Sequence, residues 1–404
     1  MKFIKDTKVR NAIMIGSLCS VSYLAVYVAR NILSAVSPQM IANDGFTNEY
    51  IGEVSALYFI FYAFGQLING AIGDKIKARF MISFGLIFAG VTNLVFPYLS
   101  HTPETAKYIF GMTGFFLSMI YGPMTKVVAE NTEPVYATRC SLGYTFASFL
   151  GSPSAGLLAA FLTWQSVFYA SSVILFVMGA VCLILFGHYE KIGIVKYHQF
   201  DKPKSERKGG IKVLIKHRII KFTLISVITG VVRTTVVFWL PTYIAQYLGF
   251  SAEQSASIFT VATLVISMTA FIAVFLYEKL GHDMDKTILI VFTSSAIFFM
   301  LVYLVKLPVL NIIFMVIAIM SSNAAASMLW SRYCPSLRDT GMVSGATGFL
   351  DFVSYMSASI SSTIFANAAT SIGWGNLILV WFGLMVFGIV VALPYDKLRK
   401  RANV

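Results

Sequence analysis

The sequence predicts an all-α membrane protein with twelve transmembrane helices in two pseudo-symmetric six-helix bundles. Three observations carry that expectation. Of 404 residues, 57% are hydrophobic and only 12% charged, and the mean hydropathy is +0.75. A soluble domain is about 45–50% apolar and roughly 25% charged. Since over half of any folded surface must face solvent, a chain this poor in charge has lipid as its solvent. Second, the chain divides into apolar runs close to the roughly 20 residues that a bilayer-crossing helix needs. Third, six runs are followed by a polar interval and six more, and landmarks of the first set recur in the second.

The runs lie near 12–37, 50–73, 80–99, 107–130, 140–162 and 166–187, then 219–246, 254–277, 287–305, 310–333, 341–371 and 375–394. Basic residues punctuate them. Lys2, Lys5, Lys8 and Arg10 precede the first, and Lys75, Lys77 and Arg79 separate the second from the third. Arg139 marks the start of the fifth, Lys279 and Lys286 part the eighth from the ninth, and Arg338 follows the tenth. The one long connection, 188–218, is polar and includes Lys202-Pro-Lys-Ser-Glu-Arg-Lys-Gly-Gly210. The expected organisation is therefore a bundle over 1–187, a linker over 188–218, and a bundle over 219–404 with a short basic tail. No cleavable signal peptide is read at the start, because the first run is long and contains Arg30.

Orientation follows from the placement of Lys and Arg. Twenty-five of the 31 fall at the amino terminus, in alternate loops, in the linker and in the tail, against Lys107 and Lys306 on the opposite side. Both termini and the linker are thus expected in the cytoplasm of a cell membrane. The net charge of +13 is mostly this bias, and anionic headgroups satisfy it; no nucleic-acid partner is implied. The four cysteines, Cys19, Cys140, Cys182 and Cys334, have neither metal-ligand nor redox spacing and read as reduced, packed thiols. No nucleophile–base set, metal cluster or nucleotide loop is present. The chain is read as no enzyme, with no cofactor and no metal.

The internal repeat sharpens the reading. The first run contains Arg30 followed by seven residues and Pro38, and the seventh contains Arg233 followed by seven residues and Pro241. From Arg30 to Asp74 is 44 residues and from Arg233 to Glu278 is 45, each acid being followed by a lysine. Arg233 lies 12 residues past Lys221, about 18 Å into the bilayer at ~1.5 Å per residue. An arginine at that depth costs at least about 2.5–3.5 kcal/mol. Arg30 lies about 27 Å past Ala12 by the same rise, so snorkelling is open to it alone, but the repeat matches it to Arg233. Transporters built on repeats bind substrate near the midplane at the repeat interface. Two guanidiniums with planar donor forks suit an oxyanion such as phosphate.

At these residues the chain resembles the organophosphate:phosphate antiporter family of the major facilitator superfamily, which includes glycerol-3-phosphate, hexose-phosphate and glucose-6-phosphate transporters. Tyr23-x3-Tyr27-x2-Arg30 with Pro38, and Arg233-x5-Trp239-x-Pro241-Thr242-Tyr243, are similar to its motifs in helices 1 and 7. Gly70-Ala-Ile-Gly-Asp74-Lys-Ile-Lys-Ala-Arg79 resembles the superfamily signature between helices 2 and 3. The resemblance implies a major facilitator fold working by alternating access. It implies a phosphate clamp of Arg30 and Arg233 with Tyr23, Tyr27, Gln66 and Trp239 around it, and exchange for inorganic phosphate by a monomer. The chain also departs from the family. Gln66 stands where relatives have a lysine and Ala147 where they have a histidine. Asn31 and Phe238, the outer-gate candidates, replace a lysine–aspartate pair, lost together, which spares the fold an orphaned charge.

The remaining intramembrane charges leave alternatives open. Asp351, about 18 Å past Asp339, is expected to be paired, protonated or on a pathway. Arg332 and Lys126 either act in coupling or snorkel to the cytoplasmic face, with Glu130 one turn from Lys126 as its local partner. Asp74 and Arg79 of the signature loop are coupling or gating candidates, and Glu53 is solvated. Gly143, Gly151 and Gly156 are expected to let helices pack closely. Two other readings stand beside the antiporter: a membrane sensor that binds a sugar phosphate without moving it, and a proton-coupled exporter of another anion using Asp351.

Overall fold

The computed structural model describes residues 7–72, 76–99, 102–197, 211–337 and 343–394. Among them, twelve long helical stretches stand where the apolar runs predict. They are α1 Thr7–Asp44, α2 Asn48–Ile72, α3 Ala78–Leu99, α4 Pro103–Asn131, α5 Pro134–Phe161 and α6 Trp164–Lys191, then α7 Ile219–Gln246, α8 Ala252–Lys279, α9 Met284–Leu304, α10 Pro308–Tyr333, α11 Val343–Ser371 and α12 Gly373–Ala392. Nine are long and apolar enough to cross a membrane; α4, α5 and α11 fall short. Those three carry polar freight instead: Glu104, Lys107, Lys126 and Glu130 on α4, Arg139 on α5, and Asp351 with several serines on α11. Several helices outrun the apolar runs because hydropathy marks the edge of the lipid and not the end of the helix. With 38 residues, α1 is about 57 Å long.

The fold divides into two compact units, 1–205 with 249–264, and 206–248 with 265–404. Within the first, α1 packs on α5, α2 on α4, and α3 on α6 and α4. Small residues set these distances. A Cβ at Gly16 would sit 2.6 Å from Cys140 Sγ, one at Gly143 2.9 Å from Ser20 Oγ, and one at Gly114 2.4 Å from the Tyr58 carbonyl oxygen. Polar cross-links follow: Thr92 and Thr113 hydroxyls meet at 2.7 Å, Asn69 donates to Ser118 Oγ at 2.8 Å, and Gln39 donates to the Ala159 carbonyl at 2.6 Å. The segment 249–264 joins this unit through Gly156, where an added Cβ would lie 2.4 Å from Thr260 Oγ1.

In the second unit α7 packs on α11, α8 on α10, and α9 on α12 and α10. Each pairing is its first-unit counterpart moved on by six helices, so the sequence repeat is a repeat of packing. Thr235 donates to the Ala358 carbonyl at 3.0 Å, Ser226 to the Leu350 carbonyl at 2.7 Å, and Ser295 to the Ala318 carbonyl at 2.8 Å. At one end Asp285 accepts from Arg218 at 2.8 Å and Lys221 at 3.1 Å, and Lys221 also caps the carbonyls of Ala392 and Leu393. All four cysteines are free and buried. Asp74, Asp339, Arg338, most of the basic linker and the basic tail lie outside the described residues.

Candidate functional site

Arg30 is half-buried on α1, and its guanidinium carbon stands 5.3 Å from the Tyr27 ring centre and 5.4 Å from that of Tyr62 on α2. Such contacts contribute about 0.5–2 kcal/mol, more where water is excluded. They engage the face of the guanidinium, the side away from its planar N–H fork. Tyr23 packs edge-on to Tyr27 at 4.9 Å and lies 5.4 Å from Tyr121 and 6.0 Å from Tyr144. The first unit therefore sets its arginine beside a cluster of five tyrosines from α1, α2, α4 and α5. Close approach of α5 builds that cluster, since a Cβ at Gly151 would sit 2.3 Å from Tyr27 Cβ. Gln66 is half-buried on α2, one turn beyond Tyr62.

In the second unit Arg233 occupies a π-helical turn, Val231–Val236, that interrupts α7. A second π turn, Leu329–Tyr333, ends α10 and carries Trp330. The two meet, with the Arg233 guanidinium 5.9 Å from the Trp330 ring centre. Wide turns of this kind recur at functional sites. Trp330 continues a half-open stripe of α10 through Asn323 and Ser327, flanked by buried Ala324, Ala325 and Ala326. The amide oxygen of Asn323 is buried and lacks a hydrogen-bond partner among the described residues. A stripe with an amide, a hydroxyl and an indole beside an arginine does not face lipid.

The other expected residues are placed as follows. Asn31 donates to the Tyr27 carbonyl at 2.6 Å, a bond within its own helix. Phe238 is buried edge-on to Trp239, and Trp239 is fully buried within reach of Trp374. Asp351 is half-buried on α11, and Lys126 is half-buried on α4 with Glu130 one turn on. Arg332 is exposed and lies over the Tyr277 ring at 4.8 Å. Arg79 reaches Glu190 at 3.4 Å, beside Tyr197, whose hydroxyl donates to Glu190 at 2.9 Å. Burial and then the Glu190 carboxylate push the Tyr197 phenol well above its usual range, so it remains a donor.

Sequence reasoning did not single out Tyr62, Tyr121, Tyr144, Asn323 or Trp330. Tyr62 was findable, since it stands four residues before Gln66 and shares its helix face. Trp330 was not, because an α-helical count through 329–333 misplaces every side chain of a π turn.

A polytopic helical membrane protein with a half-buried arginine beside aromatic rings in each of two repeated units is, by class, a solute carrier. Residues 19–362 match the model of the Major Facilitator Superfamily, and the chain belongs to that family of transporters. It is 24% identical over 257 residues to the glycerol-3-phosphate transporter of Bacillus subtilis (strain 168), a match covering 58% of each chain. The chain thus spans little more than half the length of that relative. It is 24% identical to the phosphoglycerate transporter protein of Salmonella typhimurium (strain LT2) over 94% of this chain and 87% of the other. The fold matches the crystal structure of a D-xylose-proton symporter with a TM-score of 0.73 at 12% identity, over 94% of this chain and 96% of that one.

Proposed function

We propose that this transporter moves a phosphate-bearing organic anion, of the sugar phosphate or glycerol phosphate type, across the cytoplasmic membrane by alternating access in exchange for inorganic phosphate. The observation that carries the reading is that each unit sets a membrane-embedded arginine against ring faces, Arg30 on Tyr27 and Tyr62 and Arg233 on Trp330. A ring meets a guanidinium by its face, and the planar donor fork of a guanidinium matches the spacing of phosphate oxygens. The relatives named for glycerol-3-phosphate and phosphoglycerate transport support the same substrate class. Asn323 and Ser327 suit the hydroxyls of the organic part. Exchange follows from charge: a cationic site built for an anion reorients poorly through a low-dielectric barrier when that anion is absent. Both termini face the cytoplasm by the positive-inside bias, and one copy suffices.

Counterflow in proteoliposomes tests the reading. Liposomes loaded with inorganic phosphate should accumulate labelled glycerol-3-phosphate or glucose-6-phosphate without a pH gradient. Uptake driven by a pH gradient alone would point to proton coupling, and tight binding without counterflow would point to a sensor.

A further inference from the structure

The register of α7 and α10 is set at both ends. Tyr333 stacks on Phe222 with ring centres 3.6 Å apart, and the Tyr243 hydroxyl donates to Asn311. The early residues of α7 therefore lie beside the late residues of α10, and the helices run antiparallel. Counted from the Phe222–Tyr333 stack, Arg233 is 11 residues along α7 and Trp330 three residues back along α10, about 16 Å and about 4.5 Å at ~1.5 Å per residue. The remaining gap of about 12 Å along the axes is closed by the side chains. In a helix they lean toward the amino end of their own helix, so in an antiparallel pair Arg233 and Trp330 lean toward each other. Both arise from π turns, and the guanidinium meets the indole at 5.9 Å. Among the described residues no carboxylate pairs with Arg233.

We propose that Trp330 is the positioning residue of the phosphate-binding arginine in the second unit. Its indole face holds the Arg233 guanidinium by the ring, which fixes the plane of the cation and leaves the N–H edge directed along the half-open stripe of Ser327 and Asn323. A carboxylate in the same place would hold the arginine more strongly but would take its donors and repel the substrate's charge. An indole does neither, and it has the strongest cation-binding face of any side chain. The inference rests on the reading of Arg233 as a phosphate ligand.

The test uses purified full-length protein in lipid nanodiscs, with glycerol-3-phosphate and inorganic phosphate titrated by calorimetry. Thermal unfolding of each variant is measured alongside. The variants are Trp330→Tyr, Trp330→Phe and Trp330→Leu. If the ring face positions Arg233, affinity falls in the order Trp, Tyr, Phe, Leu, with the leucine variant weaker by about tenfold and the unfolding midpoints alike. Intrinsic fluorescence should change on adding ligand to the wild type and lose most of that change in Trp330→Phe, although four of the five tryptophans remain. Equal affinities across the ring series, or a fluorescence response that survives in Trp330→Phe, overturn the assignment while leaving the phosphate reading intact. If Trp330→Leu fails to fold, the Trp–Tyr–Phe order decides alone. Wild-type protein that binds neither ligand overturns the functional reading, and this inference with it.

Discussion

Gly151 offers the most direct test of how the first-unit site is built. An ideal Cβ there would lie 2.3 Å from Tyr27 Cβ, 2.7 Å from its carbonyl carbon and 2.9 Å from its carbonyl oxygen. Carbon atoms in contact rest about 3.5–4.0 Å apart. In Gly151→Ala, α1 must therefore recede by about 1.2–1.7 Å, and because two of the three atoms are backbone, no side-chain rotation relieves the overlap. Overpacking of this kind costs about 1–3 kcal/mol, against which alanine returns roughly 0.5–1 kcal/mol of helix preference over glycine. The net loss of stability is modest. Function should suffer more, because Arg30 lies one turn beyond Tyr27 and moves with it, and a 1 Å misplacement of a binding group can cost about 100-fold. We expect kcat/KM for counterflow to fall 10- to 100-fold, on the order of that misplacement penalty, while the protein still inserts and unfolds cooperatively. Gly383→Ala on α12, where an added Cβ meets nothing within 4 Å, is the control and should transport normally. Wild-type transport and an unchanged unfolding midpoint in Gly151→Ala would show that the α1–α5 contact does not hold the site.

Arg30→Lys and Arg233→Lys should each abolish most counterflow with insertion unchanged, since an ammonium cannot reproduce the bidentate fork; wild-type rates in either would remove that residue from the site. Asp285→Asn leaves Arg218 and Lys221 without their shared carboxylate and should lower unfolding stability by about 1–2 kcal/mol, discounted for the exposure of Arg218. No change in thermal unfolding would mean that Lys221 is held by the Ala392 and Leu393 carbonyls alone. Tyr197→Phe removes a hydrogen bond to a charged acceptor that ties the chain beyond α6 to Glu190. It should cost about 1.5 kcal/mol locally and speed protease cleavage after Lys196, with transport little altered.

Membrane proteins reveal their architecture in sequence because the solvent forbids compromise. Every residue that faces hydrocarbon must be apolar, so the helices were legible from runs of composition alone. The same rule made Arg30 and Arg233 legible, since an arginine in a bilayer requires a reason. The rule is silent at both ends of each helix, where water tolerates any side chain; α5 begins at Pro134 rather than near 140, and α1 continues to Asp44. It is silent again about partners. With 34 phenylalanines and 20 tyrosines, an aromatic that holds an arginine looks like one that meets lipid, and Tyr121 and Tyr144 carry no mark that separates them. Around the second arginine, periodicity misleads. The charged Arg332 drew attention on α10, yet residues two apart do not face the same way, and the π turn shifts the register further. Arg332 stands exposed on Tyr277 while its neighbour Trp330 takes the place against Arg233. Charge in a membrane sequence thus marks a helix and a depth, while the neutral ring that meets the charge, as Trp330 meets Arg233, depends on how the backbone winds.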